Sequence, residues 1–212
     1  MKAVLSVVLL SLIGCLSTKT QSRLVTGNPA AYLTAITPSG NITGTCFAYK
    51  RKDKYTYFLT AAHILRDATS ARINETTKAE IECVDLKTDI AVLRSVTDKF
   101  PILSLRRTEP VVGEEVIASG CSVGESGMMH TVGLVCKEYS ENKEETRLSR
   151  SWACSAAVTP GNSGSPIVST YDGKVVGMCI ALSGLGFQLV FHMNIFISSE
   201  TLCKWLDKRG LS

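Results

Sequence analysis

The chain predicts an all-β protein, a sandwich or a barrel, with one helix at its C-terminus. Three observations predict it. From residue 24 onward the sequence is a series of short apolar runs rich in β-branched residues. Gly, Asn, Asp and Pro stand between those runs, which is turn chemistry. Helical periodicity appears only at the end, over 198–210.

The N-terminus stands apart from this pattern. MKAVLSVVLLSLIGCLS opens with Lys2 and runs apolar from Ala3 to Gly14, the shape of an export signal. Leu12, Ile13 and Gly14 precede Cys15 and resemble the bacterial lipobox, after which signal cleavage leaves a lipid-modified cysteine. Two readings stay open: lipidation at Cys15, or a plain secretory signal whose apolar run contains a cysteine. Residues 1–14 are assigned to the signal. Residues 15–23, small and polar, read as a lipidated or flexible tether. The expected location is outside the cytoplasm, lipid-anchored in a bacterial envelope or secreted. No apolar run reaches the 18 residues of a permanent membrane span.

Strand candidates then follow in order: 41–50, 55–60, 68–73, 79–86, 90–95, 114–119, 131–137, 148–156, 165–170, 174–182 and 187–193. A break falls at SLRRTEPVVGEE (104–115), where charge and Pro110 interrupt the pattern. The final segment, SSETLCKWLDKRG, begins with serines and Glu200. It places Leu202, Trp205 and Leu206 on one face and closes with Lys208, Arg209 and Gly210.

Composition excludes several classes. Hydrophobic residues make up 45% and charged residues 20%, which supports a packed core and argues against global disorder. The net charge of +4 is spread among acids without a long basic run, so nucleic acid is not an expected partner. No histidine pair at helical spacing and no Cys-x-x-Cys occur, so neither metal nor cofactor is expected. Setting Cys15 aside, seven of the eight cysteines remain. An odd number leaves at least one free or paired to another chain. Residues 131–140 and 146–157 read as a hairpin around the charged turn ENKEE. Centred on residue 145, it sets Cys136 opposite Cys154, within reach of a disulfide. The other reading is two buried thiols. NIT at 41–43 and NET at 74–76 are glycosylation sequons that matter only in a eukaryotic secretory route.

Three residues carry chemistry. His63 ends the apolar run YFLTAAHIL, Asp89 precedes the apolar run IAVLR, and Ser163 lies in TPGNSGSPIV. A serine hydroxyl is a weak nucleophile until a base takes its proton, and neutral imidazole does that near pH 7. The imidazole needs a carboxylate on its other nitrogen to fix its tautomer and stabilise its charged form. Glycines around the serine let the Gly161 and Ser163 N–H groups converge on a developing oxyanion. His130 and His192, the other two histidines, read as structural or surface residues.

LTAAHIL, DIAVLR and TPGNSGSPIV resemble the hallmark segments of trypsin-like, chymotrypsin-fold serine peptidases. The resemblance covers residues 25 to about 208. It implies two packed six-stranded antiparallel β-barrels, assigned to 24–107 and 108–197, and a C-terminal helix over 198–212. By it, His63 is the base, Asp89 the orienting acid and Ser163 the nucleophile of an endopeptidase acting on proteins or peptides. PGNSGSP in place of GDSGGP, and Ile64 where animal trypsins carry a cysteine, place it nearest the bacterial Deg/HtrA-type and glutamyl-endopeptidase branches. A PDZ domain of the full HtrA architecture is not expected within these 212 residues. The resemblance also implies a specificity pocket built from Ala157, Val158 and Thr159 and from a later strand holding Ile180, Ala181 and Leu182. Ala157 stands where trypsins carry an acid, which points to apolar side chains at the cleavage site. A competing reading gives His192 the role of binding a glutamate. The alternative to catalysis is a silent binding or chaperone-like lipoprotein on the same fold.

Overall fold

The computed structural model describes residues 28–122, 127–139, 151–180 and 194–212. Within them the chain forms two closed antiparallel β-barrels and one α-helix. The first barrel contains β1 (Ala31–Thr37), β2 (Gly40–Lys52), β3 (Tyr55–Ala61), β4 (Ser70–Ile73), β5 (Thr77–Asp85) and β6 (Ile90–Val96). Its strand order is β1-β2-β3-β6-β5-β4. The second contains β7 (Glu115–Cys121), β8 (Met128–Tyr139), β9 (Ser151–Cys154), β10 (Pro166–Ser169), β11 (Val175–Cys179) and β12 (Asn194–Ser198). Its order is β10-β11-β12-β9-β8-β7. Helix α1 spans Ser199–Asp207. A barrel has no free sheet edge, so every strand's backbone groups find partners.

Strands buried on both faces, such as β6, β11 and β12, build the two cores. In the first barrel Leu33, Phe47, Phe58, Leu59, Ile73 and Leu93 belong to one buried cluster and are essentially inaccessible. That cluster continues through Met178 of β11 to Leu202, Trp205 and Leu206 of α1. The second barrel closes over Val116, Val135, Ile167, Val176 and Phe196. The helix therefore shares the first barrel's core while following the second barrel in sequence.

Two elements depart from the sequence expectation. Strand β1 was not anticipated, although AYLTAIT alternates cleanly between buried and half-buried positions. Its apolar side is mostly alanine and threonine, which weakens the signal that larger residues give. The expected strand at 187–193 lies outside the described residues. The strand preceding the helix is Asn194–Ser198, paired with β9 and β11. Helix α1 starts at Ser199 rather than Ser198, because Ser198 is the N-cap: its hydroxyl accepts the Thr201 N–H at 3.2 Å.

The Cys136–Cys154 pairing is corrected. Pairing of Lys137 with Ala153, Glu138 with Trp152 and Tyr139 with Ser151 matches a hairpin centred on residue 145. A β-bulge then intervenes, and Val135 rather than Cys136 faces Cys154. Cys136 is the extra residue of the bulge, its thiol donating to the Leu134 carbonyl. Both cysteines are free thiols.

The stretch between the barrels is strapped by charge. Leu105 bridges to Val175, and the Arg106 N–H donates to the Val175 carbonyl at 2.9 Å. The Arg106 guanidinium grips Glu114 at 2.7 and 2.9 Å and Asp172 at 2.8 and 3.2 Å. Burial alone would raise both carboxyls, but the hydrogen bonds from Arg106 outweigh it and hold them below the ordinary carboxylate range. The contribution to stability is therefore complete above about pH 5 and fades as pH falls through the lowered folded values. Arg106→Met should lower the urea midpoint most at neutral pH. Its gap to the parent protein should narrow as the buffer is acidified toward about pH 3.

Candidate active site

The site lies where the end of the first barrel's β3 meets a loop of the second barrel. After Ala61 the chain leaves β3 in one tight turn, a 3-10 helix over Ala62–Leu65 that carries His63. Strand β6 begins beside it, with Ile90 paired to Ala61. Asp89 is the residue just before that strand, held at φ +58, the left-handed region that aspartate tolerates better than most residues.

Backbone and side chain together lock this corner. The Ala62 N–H donates to the Asp89 carbonyl at 3.1 Å. The Asp89 carboxylate accepts the His63 N–H at 2.8 Å through Oδ1. It lies 2.8 Å from His63 Nδ1 through Oδ2 and 3.1 Å through Oδ1. Asp89 is 3% exposed, so its charge is compensated almost wholly by these bonds. A carboxylate at Nδ1 selects the tautomer with the proton on Nδ1, leaving Nε2 as a free base.

The turn that delivers Asp89 is held from further away. Asp85, ending β5, accepts the N–H groups of Lys87 at 3.1 Å and Thr88 at 3.2 Å. Its other oxygen takes the Trp205 indole N–H at 2.8 Å and Arg209 at 2.9 Å. Burial pulls this carboxyl upward, but the bond from Trp205 and those from the turn prevail and hold it low. Helix α1 thus steadies the corner that presents Asp89.

Ser163 sits in the loop between β9 and β10, 6% exposed. Its carbonyl accepts the Thr45 N–H of β2 at 2.9 Å. Gly164 next to it donates to the Cys179 carbonyl at 2.8 Å. Gly164 has φ +85, and a Cβ there would lie 2.1 Å from the Thr45 carbonyl and 3.1 Å from the Ala61 nitrogen. The serine loop therefore abuts the end of β3, two residues before His63. Gly161 adopts φ +98. Among the described residues, the Gly161 and Ser163 N–H groups have no acceptor, and no hydrogen bond joins the Ser163 hydroxyl to the His63 ring.

The remaining expected site residues divide. Ala157 and Thr159 are exposed on the approach to the loop, and Val158 packs against the second core. The Ala157 carbonyl accepts the Thr131 hydroxyl at 2.7 Å, and the Thr159 and Ser122 hydroxyls share a bond at 2.7 Å. Ile180, expected in an apolar wall, is buried in the first core cluster. Ala181, Leu182, His192 and Cys15 lie outside the described residues. His130 is exposed, with Nδ1 2.9 Å from the Ser119 hydroxyl. No group of three potential metal-binding side chains occurs among the described residues. Burial raises the Cys46, Cys121 and Cys179 thiols, and pushes Cys154 up to about 11, so these sulfurs stay protonated at neutral pH.

Two antiparallel barrels, a His–Asp pair at the end of one and a glycine-flanked serine in a loop of the other define a trypsin-like architecture. The model of the trypsin-like peptidase domain matches residues 44–178, and the chain belongs to that family. In sequence it is 32% identical over 197 residues to the serine protease Do-like HtrA of Bacillus subtilis, covering 79% of this chain and 40% of that protein. It is 29% identical over 136 residues to a DegP-like periplasmic serine endoprotease of Chlamydia trachomatis, covering 61% and 27%. The chain thus spans less than half the length of these relatives. In structure it is similar to a Mycobacterium tuberculosis protease in its active form, with TM-score 0.73 and 18% identity over 91% of this chain and 86% of that one. It is also similar to the HtrA-type protease AlgW with a tripeptide, with TM-score 0.71 and 21% identity over 87% and 60%. At these identities the structures speak for the fold.

Gly164→Ala brings a methyl group against backbone at a left-handed position. It should cost more than about 2 kcal/mol of stability, read as a lowered urea midpoint. Gly173→Ala, where a Cβ would meet open space at φ +68, should cost less.

Proposed function

We propose that this protein is an exported serine endopeptidase that cleaves peptide bonds through an acyl-enzyme. The observation that carries the reading is the doubly bonded Asp89–His63 pair beside a serine loop with two open N–H groups. Ser163 Oγ attacks the scissile carbonyl while His63 Nε2 takes its proton. Asp89 keeps that ring in the required tautomer and stabilises the imidazolium. The carbonyl oxygen, now negative, is received by the Gly161 and Ser163 N–H groups, where one donor is worth about 3–4 kcal/mol of barrier. His63 then passes its proton to the leaving amine, and water, activated by the same base, hydrolyses the ester. The absence of a Ser163–His63 bond in the free protein suits this sequence, since such contacts tighten when substrate arrives.

Relatives named as periplasmic endoproteases, and a related fold with a bound tripeptide, support a peptide substrate and a site of action outside the cytoplasm. Substrate would approach along the edge formed by Ala157 and Thr159. Apolar side chains at the cleavage site follow from the lack of an acid at Ala157. The membrane is reached through a lipid on Cys15.

Ser163→Ala should lower peptide turnover by about 10⁶-fold with unchanged thermal unfolding, and should abolish labelling by a fluorophosphonate. A parent protein that is folded yet takes no label and cleaves no peptide library would favour a silent binding module. For the anchor, Cys15→Ser should move the protein from the membrane to the soluble fraction. Continued membrane retention would remove the lipid assignment.

A further inference from the structure

Thr45 of β2 uses every polar atom it has. Its N–H donates to the Ser163 carbonyl at 2.9 Å, and its carbonyl accepts the Thr60 hydroxyl at 2.7 Å. Its own hydroxyl accepts the Cys121 N–H at 3.0 Å and donates to the Gly161 carbonyl at 2.8 Å. The residue is 0% exposed. One hydroxyl therefore ties the first barrel, strand β7 of the second, and the serine loop. A hydroxyl can donate and accept at once, which this position requires.

The peptide units of the loop are pinned almost throughout. Asn162 N–H donates to the Thr159 carbonyl at 3.0 Å, Ser165 N–H to the Asn162 carbonyl at 2.9 Å, and Gly164 N–H to the Cys179 carbonyl at 2.8 Å. The unit between Gly161 and Asn162 is thus gripped at both ends, by Thr159 at its N–H and by Thr45 at its carbonyl. Gly161 itself, at φ +98, carries no side chain to resist rotation. Its own N–H belongs to the preceding peptide unit, shared with Pro160, and hangs from the Cα that the held unit anchors.

We infer that Thr45 is a positioning residue for the oxyanion: its hydroxyl holds the Gly161 carbonyl and so anchors the Cα from which the Gly161 N–H projects beside Ser163. The inference rests on the peptidase reading above. Without the hydroxyl, that Cα loses its anchor and the donor it carries can shift, while the nucleophile and base stay in place. Losing one oxyanion donor outright costs about 10²–10³-fold in turnover, and a donor that is present but free to rotate costs part of that.

The test compares Thr45→Val, the same shape without a hydroxyl, with Thr45→Ser, on a chromogenic peptide substrate. Thermal unfolding establishes the folded fraction of each. Thr45→Val should lose about tenfold or more in kcat with KM nearly unchanged, and Thr45→Ser should restore most of it. A peptide aldehyde, whose tetrahedral adduct places an oxygen in the crevice, should lose affinity for Thr45→Val by a similar factor. The matching peptide acid should bind as before. If Thr45→Val does not fold, Thr45→Ala is read in its place. A folded variant with parental kcat, a Thr45→Ser protein as impaired as Thr45→Val, or equal loss of affinity for aldehyde and acid would each overturn the assignment. Failure of the peptidase reading shows differently: the parent protein would then neither cleave peptides nor take a fluorophosphonate, and the role of Thr45 would fall with it.

Discussion

A carboxylate that is almost wholly buried must be surrounded by donors, and Asp89 meets that requirement by taking two bonds from a single residue. His63 gives it a backbone N–H and a ring nitrogen. The geometry leaves the imidazole little freedom, since the same carboxylate fixes both its main chain and its plane. Desolvating a charge costs several kcal/mol unless it is paired, so much of the surrounding structure serves to keep this pair closed. The left-handed backbone at Asp89, the pairing of Ile90 with Ala61, and the Ala62–Asp89 backbone bond all act on the same few atoms.

That corner would be soft if it depended on the loop before β6 alone. The loop instead begins at a second carboxylate, Asp85, whose oxygens face opposite ways. One side orders the Lys87 and Thr88 amides, and the other receives Trp205 and Arg209 from the C-terminal end of the chain. Arg209 also lies 4.0 Å over the Trp205 ring, so the aromatic is held between its hydrogen bond and a cation. Tyr49 of β2 donates to the Leu211 carbonyl at 3.0 Å, which fastens the segment after the helix to the same barrel. The helix is therefore a strut between the end of the chain and the first barrel, and its apolar face completes that barrel's core.

How far the sequence discloses this depends on the range of the interactions. His63, Asp89 and Ser163 could be singled out as candidates because local sequence marks them: a strand end, a residue before an apolar run, a serine among glycines. Most strands were legible from their turns, and the hairpin between β8 and β9 was legible down to its centre. What the pattern could not reveal was the bulge at Cys136, because one inserted residue changes which side chains face each other without changing composition. Strand β1 escaped because small residues on its inner side carry little hydrophobic signal. Ile180, expected in a pocket wall, is buried in the first core cluster, a placement that apolarity alone does not reveal. Thr45 had no local mark at all, since its partners Cys121 and Gly161 lie 76 and 116 residues away.

The glycines of the serine loop take their meaning from those distant partners. Gly164 is required because β2 and β3 pass so close that a methyl group would strike the Thr45 carbonyl and the end of β3. Gly161 is required for a positive φ, yet the freedom that allows it would also let its amide wander. A loop made flexible enough to be built must then be immobilised by bonds from outside itself. The first barrel supplies those bonds to Gly161 and Ser163 through one threonine, and the second supplies Gly164's through Cys179. The second barrel alone cannot define this loop: it relies on the first for the contacts that hold Gly161 and Ser163 in place. The division into two barrels is thus itself part of how the serine loop comes to rest against the end of β3, two residues before His63.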